Sequence, residues 1–225
     1  MIITVGAEKG GVAKSRIATH IATLAAQSGV DVVLLDTDRQ GSSASWCDHR
    51  NQEGVTPSIP VLFLPTNPVR EIVNLSSKYA LIVIDIGAQN YKTMLECALV
   101  SDMVIVPCGN DQQEIESTIN VFRVLADMSP RHKSGLIPAH VLLTRVSATE
   151  NAKSISELKE FFQMQNISVF DSYTAHRAAW LNTGKTGRAL HELKGKDRSI
   201  KAIAEMQSVY DEILTKLSPV TELND

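Results

Sequence analysis

The sequence predicts an α/β fold, in which a mostly parallel, twisted sheet carries helices on both faces. Short apolar runs bounded by turn residues alternate along the chain with longer stretches of helical period. Residues 32–35 and 81–84 are apolar without alternation, which indicates strands covered on both sides. The six predicted strands are residues 2–5, 30–35, 61–64, 80–84, 103–106 and 140–143.

Two helices have the clearest apolar stripes. The first is predicted at residues 112–128, with Ile115, Ile119, Phe122 and Leu125 on one face. The second is predicted at residues 199–217, with an apolar side formed by Ile200, Ile203, Tyr210, Ile213 and Leu217. We expect both to pack on the sheet, a single domain over residues 1–217, and a disordered tail over residues 218–225.

Net charge, cysteine spacing and the first residues of the chain argue against several classes of function. The 225 residues carry a net charge of -3, so the chain as a whole is no polyelectrolyte partner for nucleic acid. Its three cysteines match no zinc or redox spacing, and an odd count argues against a disulfide framework. The first residues are uncharged and run directly into a predicted strand, without the pattern of a signal peptide or a membrane span. We therefore expect a cytoplasmic protein.

A glycine-bearing loop with two lysines follows the first predicted strand. Residues 6–15 read Gly-Ala-Glu-Lys-Gly-Gly-Val-Ala-Lys-Ser and lead into an apolar helix. A strand, such a loop and a helix N-terminus together present backbone N–H groups to a phosphate. The ordinary pattern G-x-x-x-x-G-K-[ST] fails twice, because Glu8 and Ala13 occupy its glycine positions. The variant K-G-G-x-x-K-[ST] fits, with Lys9 five residues ahead of Lys14.

This variant resembles the ParA/MinD family of P-loop ATPases with a deviant Walker A motif. The likeness spans nearly the whole chain and is closest to small plasmid-partition ParA proteins without an N-terminal DNA-binding domain. It implies ATP and Mg²⁺ as cofactors, Lys9 as the lysine that reaches the partner's nucleotide, Lys14 as the lysine for its own, and Ser15 as a magnesium ligand. The remaining residues implied to bind ATP are Gly10, Gly11, Val12, Ala13 and Arg16.

Two departures from the family pattern lie in this loop. Ala13 stands where glycine is usual, so its Cβ could crowd the loop near phosphate and slow turnover. Arg16 replaces a small hydroxyl residue. The competing interpretation of the whole segment is a lysine-rich turn whose charges are solvated.

Carboxylates end two of the predicted strands. Residues 34–41 resemble the family's D-x-D-P-Q segment, with Arg39 in place of proline. The resemblance implies that Asp38 positions the attacking water and that Asp36 supports the metal site. The alternative is that these residues only close the strand as a turn and cap the next helix. Asp85 ends an apolar strand in the form of a Walker B motif and is the third predicted metal residue.

Further along the chain, Thr144 and Arg145 resemble the family's threonine-arginine pair near the nucleotide base, so Arg145 joins the predicted cofactor-binding residues.

A basic stretch lies between residues 176 and 201. Seven positive side chains stand against Glu192 and Asp197, a net charge of +5, so the remainder of the chain carries about -8. Such asymmetry suits sequence-independent binding to a phosphate backbone. The predicted DNA-binding residues are Arg177, Lys185, Arg188, Lys194, Lys196, Arg198 and Lys201. The plain alternative is a solvated surface loop.

The resemblance implies a cycle in which ATP drives formation of a homodimer that holds nucleoid DNA. A centromere-binding adaptor of the ParB type would then stimulate hydrolysis and release. The alternatives are a MinD-like or other cargo-positioning ATPase, a metabolic enzyme or electron donor of the same fold, and a module that binds ATP with little turnover. A membrane partner is disfavoured, because the last predicted helix has a stripe suited to core packing.

Overall fold

The computed structural model describes residues 1–38, 40–64, 68–150 and 152–218. Its sheet has six parallel strands in the order β3-β2-β4-β1-β5-β6. The strands are β1 (Ile2–Val5), β2 (Val32–Asp36), β3 (Val61–Phe63), β4 (Leu81–Asp85), β5 (Met103–Cys108) and β6 (Ala139–Leu143). The helices are α1 (Lys14–Gln27), α2 (Ser42–Gln52), α3 (Val69–Leu75), α4 (Tyr91–Ala98), α5 (Gln112–Met128), α6 (Ala152–Met164), α7 (Ala179–Thr186) and α8 (Ile200–Leu217).

Helices cover both faces of the sheet, as the unbroken apolar runs predict. Alternate residues of the central strands enter separate cores, since successive side chains of a strand point to opposite faces. Ile3 and Val83 pack with α1, α2, α7 and α8. Ile82 and Val104 pack with α3, α4 and α5. The α/β fold predicted from the sequence is therefore confirmed.

Strand ends differ from the predictions by a few residues. β2 begins at Val32 and includes Asp36, and β5 continues to Cys108. Pro107 can lie inside β5 because the pairing of β5 with β1 ends at Ile105, so no ladder bond to β1 is lost there.

The predicted ends of α5 are confirmed, but its buried face is rotated from the predicted stripe. Asp111 caps the helix, its Oδ1 accepting a hydrogen bond of 2.9 Å from the N–H of Gln113. Leu125 is buried, whereas the other three residues of the stripe are only partly buried, against the core beside α6. The fully buried positions are Ser117, Thr118, Val121 and Leu125.

Helix α8 begins one residue later than predicted, since Ser199 is its N-cap and its Oγ accepts from the N–H of Ala202 at 3.3 Å. Burial starts only at Ala202, so the first turn projects beyond the core. Ile200 is 77% exposed, and its predicted place in the packed stripe is wrong. The predicted tail lies, apart from Ser218, outside the described residues, as does Arg39.

A buried ion pair that the sequence did not predict ties α2 to the segment after α7. The Arg50 side chain is fully buried and donates two hydrogen bonds to Glu192, at 2.6 and 2.7 Å. Its Nε also donates to the carbonyl of Pro57 at 2.8 Å. Leaving either partner alone would bury an unpaired charge, which costs roughly 3–5 kcal/mol. Glu192 therefore holds the basic stretch to the body of the protein.

Candidate functional site

The predicted site residues meet at the carboxyl edge of the sheet. The loop between β1 and α1 lies there together with the ends of β2 and β4, because all strands are parallel. A cavity of about 390 Å³ opens at this edge. The predicted residues that line it are Gly11, Ala13, Lys14, Ser15, Arg16 and Asp38.

The loop turns through two left-handed residues, Gly11 with φ 77° and Ala13 with φ 74°. Glycine adopts this conformation freely, whereas an L-residue with a Cβ pays roughly 1–2 kcal/mol. Ala13 thus takes up the backbone shape that a glycine would have, at a cost. It is the N-cap of α1, so the alanine strains the loop without preventing the helix from starting.

Lys14 is buried in this loop, 7% exposed, and its Nζ donates a hydrogen bond of 2.8 Å to the carbonyl of Lys9. Burial lowers the pKa of Lys14, while the charges of Asp85 and Asp38 oppose that shift. A buried ammonium beside free loop N–H groups suits a phosphate. Lys9, in contrast, has an exposed side chain. The loop therefore holds one lysine inward and one toward solvent.

Asp85 has the chemistry of a metal ligand. It is 1% exposed, and its Oδ2 accepts a hydrogen bond of 2.7 Å from the hydroxyl of Ser43. Its Oδ1 is buried without a hydrogen-bond partner among the described residues. Burial raises the pKa of Asp85 to about 6, against the hydroxyls of Ser15 and Ser43, which lower it. A carboxylate oxygen left open beside Ser15 fits a magnesium ion, which would offset charge on a bound triphosphate.

The described part of the chain contains no cluster of three or more His, Cys, Asp or Glu side chains that could hold a metal by themselves. Magnesium commonly takes one or two protein ligands and completes its shell with waters and phosphate oxygens. Ser15 and Asp85 suffice for that mode.

Asp36 is engaged with backbone groups instead. Its two oxygens accept hydrogen bonds of 2.9 Å each, Oδ1 from the N–H of Asp38 and Oδ2 from the N–H of Ala44. Burial raises the pKa of Asp36 although these bonds oppose the shift. This geometry is the turn-closing, helix-capping alternative considered for the segment. Its support of a metal site stays a prediction.

Asp38 lies at the wall of the cavity, half-buried, with Oδ1 accepting from the N–H of Gln40 at 2.9 Å. Gly87, just after β4, allows its close approach. A Cβ on Gly87 would lie 2.9 Å from the Cα of Asp38, a contact that backbone atoms do not tolerate. Asp38 thus lies at the cavity, and its role in positioning the attacking water stays a prediction.

Arg145 lies beside the loop but is already paired. Its guanidinium forms an ion pair with Glu114, whose other oxygen accepts from the N–H of Gly109 at 2.7 Å. The neighbouring Thr144 hydroxyl donates to the carbonyl of Val12 at 3.1 Å. The loop after β6 is thereby tied to the loop after β1. Contact between Arg145 and a base stays a prediction.

Arg16 is half-buried at the cavity wall. Burial lowers the pKa of Arg16, and the nearby charge of Arg145 lowers it further.

Two helices reach the cavity without having been predicted there. Trp46 of α2 and Thr183 and Gly184 of α7 line it, and the indole Nε1 donates to the carbonyl of Thr183 at 3.0 Å. The two helices are 137 residues apart at this bond, so no local pattern could have indicated the contact.

The cations of the basic stretch differ in whether a carboxylate lies near them. Arg177 forms an ion pair with Glu205, and Arg188 approaches Glu53 at 4.0 Å. The other predicted residues, Lys185, Lys194, Lys196, Arg198 and Lys201, have exposed side chains. None of these five forms an ion pair with a residue that the structure describes. The predicted patch is thus reduced to five available charges on α7, the following segment and the start of α8.

The family follows from a match that covers most of the chain. The model of the CobQ/CobB/MinD/ParA nucleotide-binding domain matches residues 3–186. The chain belongs to this family. Members of the ParA/MinD group are P-loop ATPases.

Similar proteins match this chain over most of its length. Protein ParA of Rhizobium radiobacter is 23% identical over 213 residues, which covers 93% of each chain. The MinD cell division protein of Aquifex aeolicus has a TM-score of 0.69 at 16% identity, over 97% of this chain and 98% of that one. A putative plasmid partition protein of Borrelia burgdorferi, bound to AMPPNP, has a TM-score of 0.66 at 21% identity, over 96% and 98%. The ParA/MinD resemblance and the fold are confirmed.

Among the described residues of this ParA/MinD-family chain, no helix combines the length and the apolar character needed to cross a bilayer.

Proposed function

We propose that the chain is a switch ATPase that dimerises on ATP, binds DNA without sequence preference, and positions a plasmid or other DNA cargo. The observation that carries the proposal is that the two lysines of one loop differ in burial. Lys14 is buried at the cavity and Lys9 is exposed beside it. An exposed lysine next to a phosphate site can reach the nucleotide bound to a second copy of the chain. Its positive charge would offset the repulsion between the two negatively charged nucleotides of the dimer.

In the proposed cycle each subunit binds ATP with Lys14, the loop N–H groups and a magnesium ion at Ser15 and Asp85. Each Lys9 neutralises phosphate charge in the opposite subunit, so the nucleotide holds the dimer together. Asp38 orients and deprotonates the attacking water. A ParB-type adaptor bound to the cargo would promote hydrolysis and so dissolve the dimer.

The DNA contact is proposed for the five exposed cations of the basic stretch. Arg177 is assigned to structure because Glu205 already pairs with it, and Arg188 is left out of the set because Glu53 approaches it at 4.0 Å. Two copies in a dimer would double the patch. Such binding follows phosphate charge and therefore falls steeply with salt.

Lys9→Ala tests the dimer. Since Lys9 makes only a backbone contact within its own loop, through its carbonyl to Lys14, the variant is expected to bind Mg-ATP and stay monomeric. Light scattering with and without AMPPNP measures this, and Lys78→Ala, an exposed lysine distant from the loop in sequence, is the matched control. A Lys9→Ala protein that dimerises on nucleotide like the wild type would refute the shared site.

Replacing Lys194, Lys196 and Arg198 by glutamate tests the patch. If about four patch residues contact phosphates in the wild type, affinity drops roughly 150-fold between ~50 and ~200 mM salt. The triple variant is expected to lose DNA binding at low salt and to keep its ATPase rate. Its control carries the same charge change on three other exposed cations that form no ion pair with a described residue, Arg70, Lys78 and Arg131. Equal retention of both triple variants on DNA would exclude the patch.

The strained Ala13 supports a second candidate, an ATP-binding module with little turnover. The left-handed alanine stiffens the loop that must adjust around the phosphates. Phosphate release measured with DNA and adaptor present separates the two functions, since only the switch is accelerated.

A further inference from the structure

Ile200 exposes a large apolar side chain at the start of α8. It is 77% exposed, more than any other large hydrophobic side chain that the structure describes. The core does not use it, because burial along α8 begins at Ala202. Single exposed apolar side chains are common on soluble proteins, so the surroundings of Ile200 decide whether it has a role.

The surroundings of Ile200 are positively charged. Arg198 and Lys201 flank it in the chain, and both have exposed side chains. Lys194 and Lys196, also exposed, precede it on the same segment. The first N–H groups of a helix have no intrahelical acceptor and favour anions, and α8 begins at Ile200. The apolar tip is therefore flanked by groups that attract phosphate.

A second exposed apolar side chain, Leu181, lies on α7 in the same basic stretch. It is 54% exposed, and the exposed Lys185 follows one helical turn later. The side-chain amide of Asn182 donates a hydrogen bond of 3.0 Å to Oδ1 of Asp197, which ties α7 to the segment that leads into α8. Both helices of the basic stretch thus carry an apolar side chain next to a cation.

The segment before Ile200 is anchored to the body of the protein. Glu192 pairs with the buried Arg50, and the Ser199 side chain caps the first turn of α8. A side chain that enters a partner is most effective when its own backbone is fixed beforehand, because little conformational entropy is then lost on binding. Ile200 meets that condition.

Cations around an aliphatic side chain suit two partners, an anionic bilayer and DNA. Helices that lie on a bilayer carry a broad apolar face, with Trp, Phe or Leu side chains inserted. The basic stretch has only two exposed large aliphatic side chains, and its one Trp, Trp180, is buried. Proteins that bend DNA, in contrast, insert a few apolar side chains such as Ile or Leu between base pairs. The small number of apolar side chains therefore favours DNA.

We infer that Ile200 inserts between base pairs of bound DNA and kinks the duplex, while the flanking cations hold the phosphates. The inference rests on the proposed DNA binding and adds a contact that phosphate charge does not provide. Burial of the side chain offsets part of the cost of unstacking the bases, and that cost is lower where the stack is already interrupted. The protein thus prefers deformable or interrupted duplexes without reading a base sequence.

Fluorescence anisotropy with AMPPNP and Mg²⁺ compares two duplexes of roughly 30 base pairs, one continuous and one with a central bulge of unpaired adenines. The wild type is expected to bind the bulged duplex about 10-fold more tightly, the lower limit for complete burial of an isoleucine side chain. Ile200→Ala should lose most of that preference, and Ile200→Met should keep it, because methionine also serves as a wedge. Equal preference in the wild type and Ile200→Ala would overturn the inference.

Energy transfer between dyes at the two ends of the continuous duplex measures the kink. We expect a bend within about 20–90° for the wild type and a nearly straight duplex for Ile200→Ala. Since an isoleucine side chain neutralises no phosphate, the slope of log affinity against log salt concentration should be the same for both proteins. A smaller slope for Ile200→Ala would show that the substitution disturbs the basic surface, and would contradict the wedge.

Met164→Ala is the matched control, because Met164 is 73% exposed on α6, outside the basic stretch, and should match the wild type on both duplexes. Binding to phosphatidylglycerol vesicles that Ile200→Ala abolishes, with DNA binding unchanged, would assign Ile200 to a bilayer and overturn the inference. Loss of nucleotide-dependent dimers in Ile200→Ala would do the same. A wild type that binds neither duplex would refute the proposed DNA binding itself, a result distinct from a wild type that binds both equally and leaves them straight.

Discussion

Replacing Lys14 by alanine is expected to lower the affinity for ATP by roughly 100-fold or more, the equivalent of about two hydrogen bonds to a charged group. Lys14 is the only lysine of the loop whose side chain is buried in the described structure, and its Nζ reaches the carbonyl of Lys9 across the turn. Calorimetric titration with ATP and Mg²⁺ measures the effect.

The same variant should fold normally. Burial lowers the pKa of Lys14, which means that its charged form is held at a cost in the protein without ligand. The unfolding midpoint without nucleotide is therefore expected to change little, and Lys78→Ala should match the wild type in both assays. Undiminished ATP affinity in Lys14→Ala would show that the phosphate loop has been assigned wrongly.

Asp38→Ala is expected to reduce the rate of phosphate release by at least about 100-fold, the usual contribution of a positioned general base. ATP-dependent dimers should persist, because in the proposed cycle the loop and Lys9 of the opposite subunit hold the phosphates. The Asp38 side chain is half-buried at the cavity, and its one recorded hydrogen bond within the described residues comes from the N–H of Gln40, so its removal leaves the cores intact. Phosphate release and light scattering on one preparation separate the two effects.

Asp48→Ala is the matched control for Asp38, since it removes an exposed carboxylate from the same region, on α2. It should hydrolyse ATP at the wild-type rate. Phosphate release from Asp38→Ala that equals this control would remove the carboxylate from the mechanism, and loss of nucleotide-dependent dimers would assign it to the interface instead.

Most of the fold could be predicted from local features of the sequence. The unbroken apolar runs at residues 32–35 and 81–84 indicated strands buried on both faces, and the structure has them there. The ends of α5 were predictable because Asp111 is a strong N-cap next to a helical period. Strand ends were less predictable, since pairing with neighbours decides where a strand stops, as at Pro107.

The candidate site was predictable to a smaller extent. The phosphate-loop pattern and the apolar strand before Asp85 predicted that Lys14, Ser15 and Asp85 lie at one edge of a sheet. The structure has them there. The sequence did not indicate that Asp36 would bind backbone N–H groups or that Trp46 and Thr183 would line the cavity. Each of these depends on which segments meet in space.

The basic stretch shows most clearly the difference between what the sequence indicates and what the fold decides. In the sequence, Arg177 and Glu192 belong to one run of charged residues that would be solvated. In the structure, Arg177 forms an ion pair with Glu205, and Glu192 forms one with Arg50. An ion pair forms where two long side chains are brought together and desolvated, and no spacing in the sequence specifies that.

The sequence by itself determined the fold class and indicated the candidate phosphate loop with its two lysines, because periodicity, turn chemistry and a short contiguous motif are local properties. Only the tertiary structure decided which of the predicted charges are available to ligands. Availability depends on burial and on partners distant along the chain, and these exist only once the chain has folded.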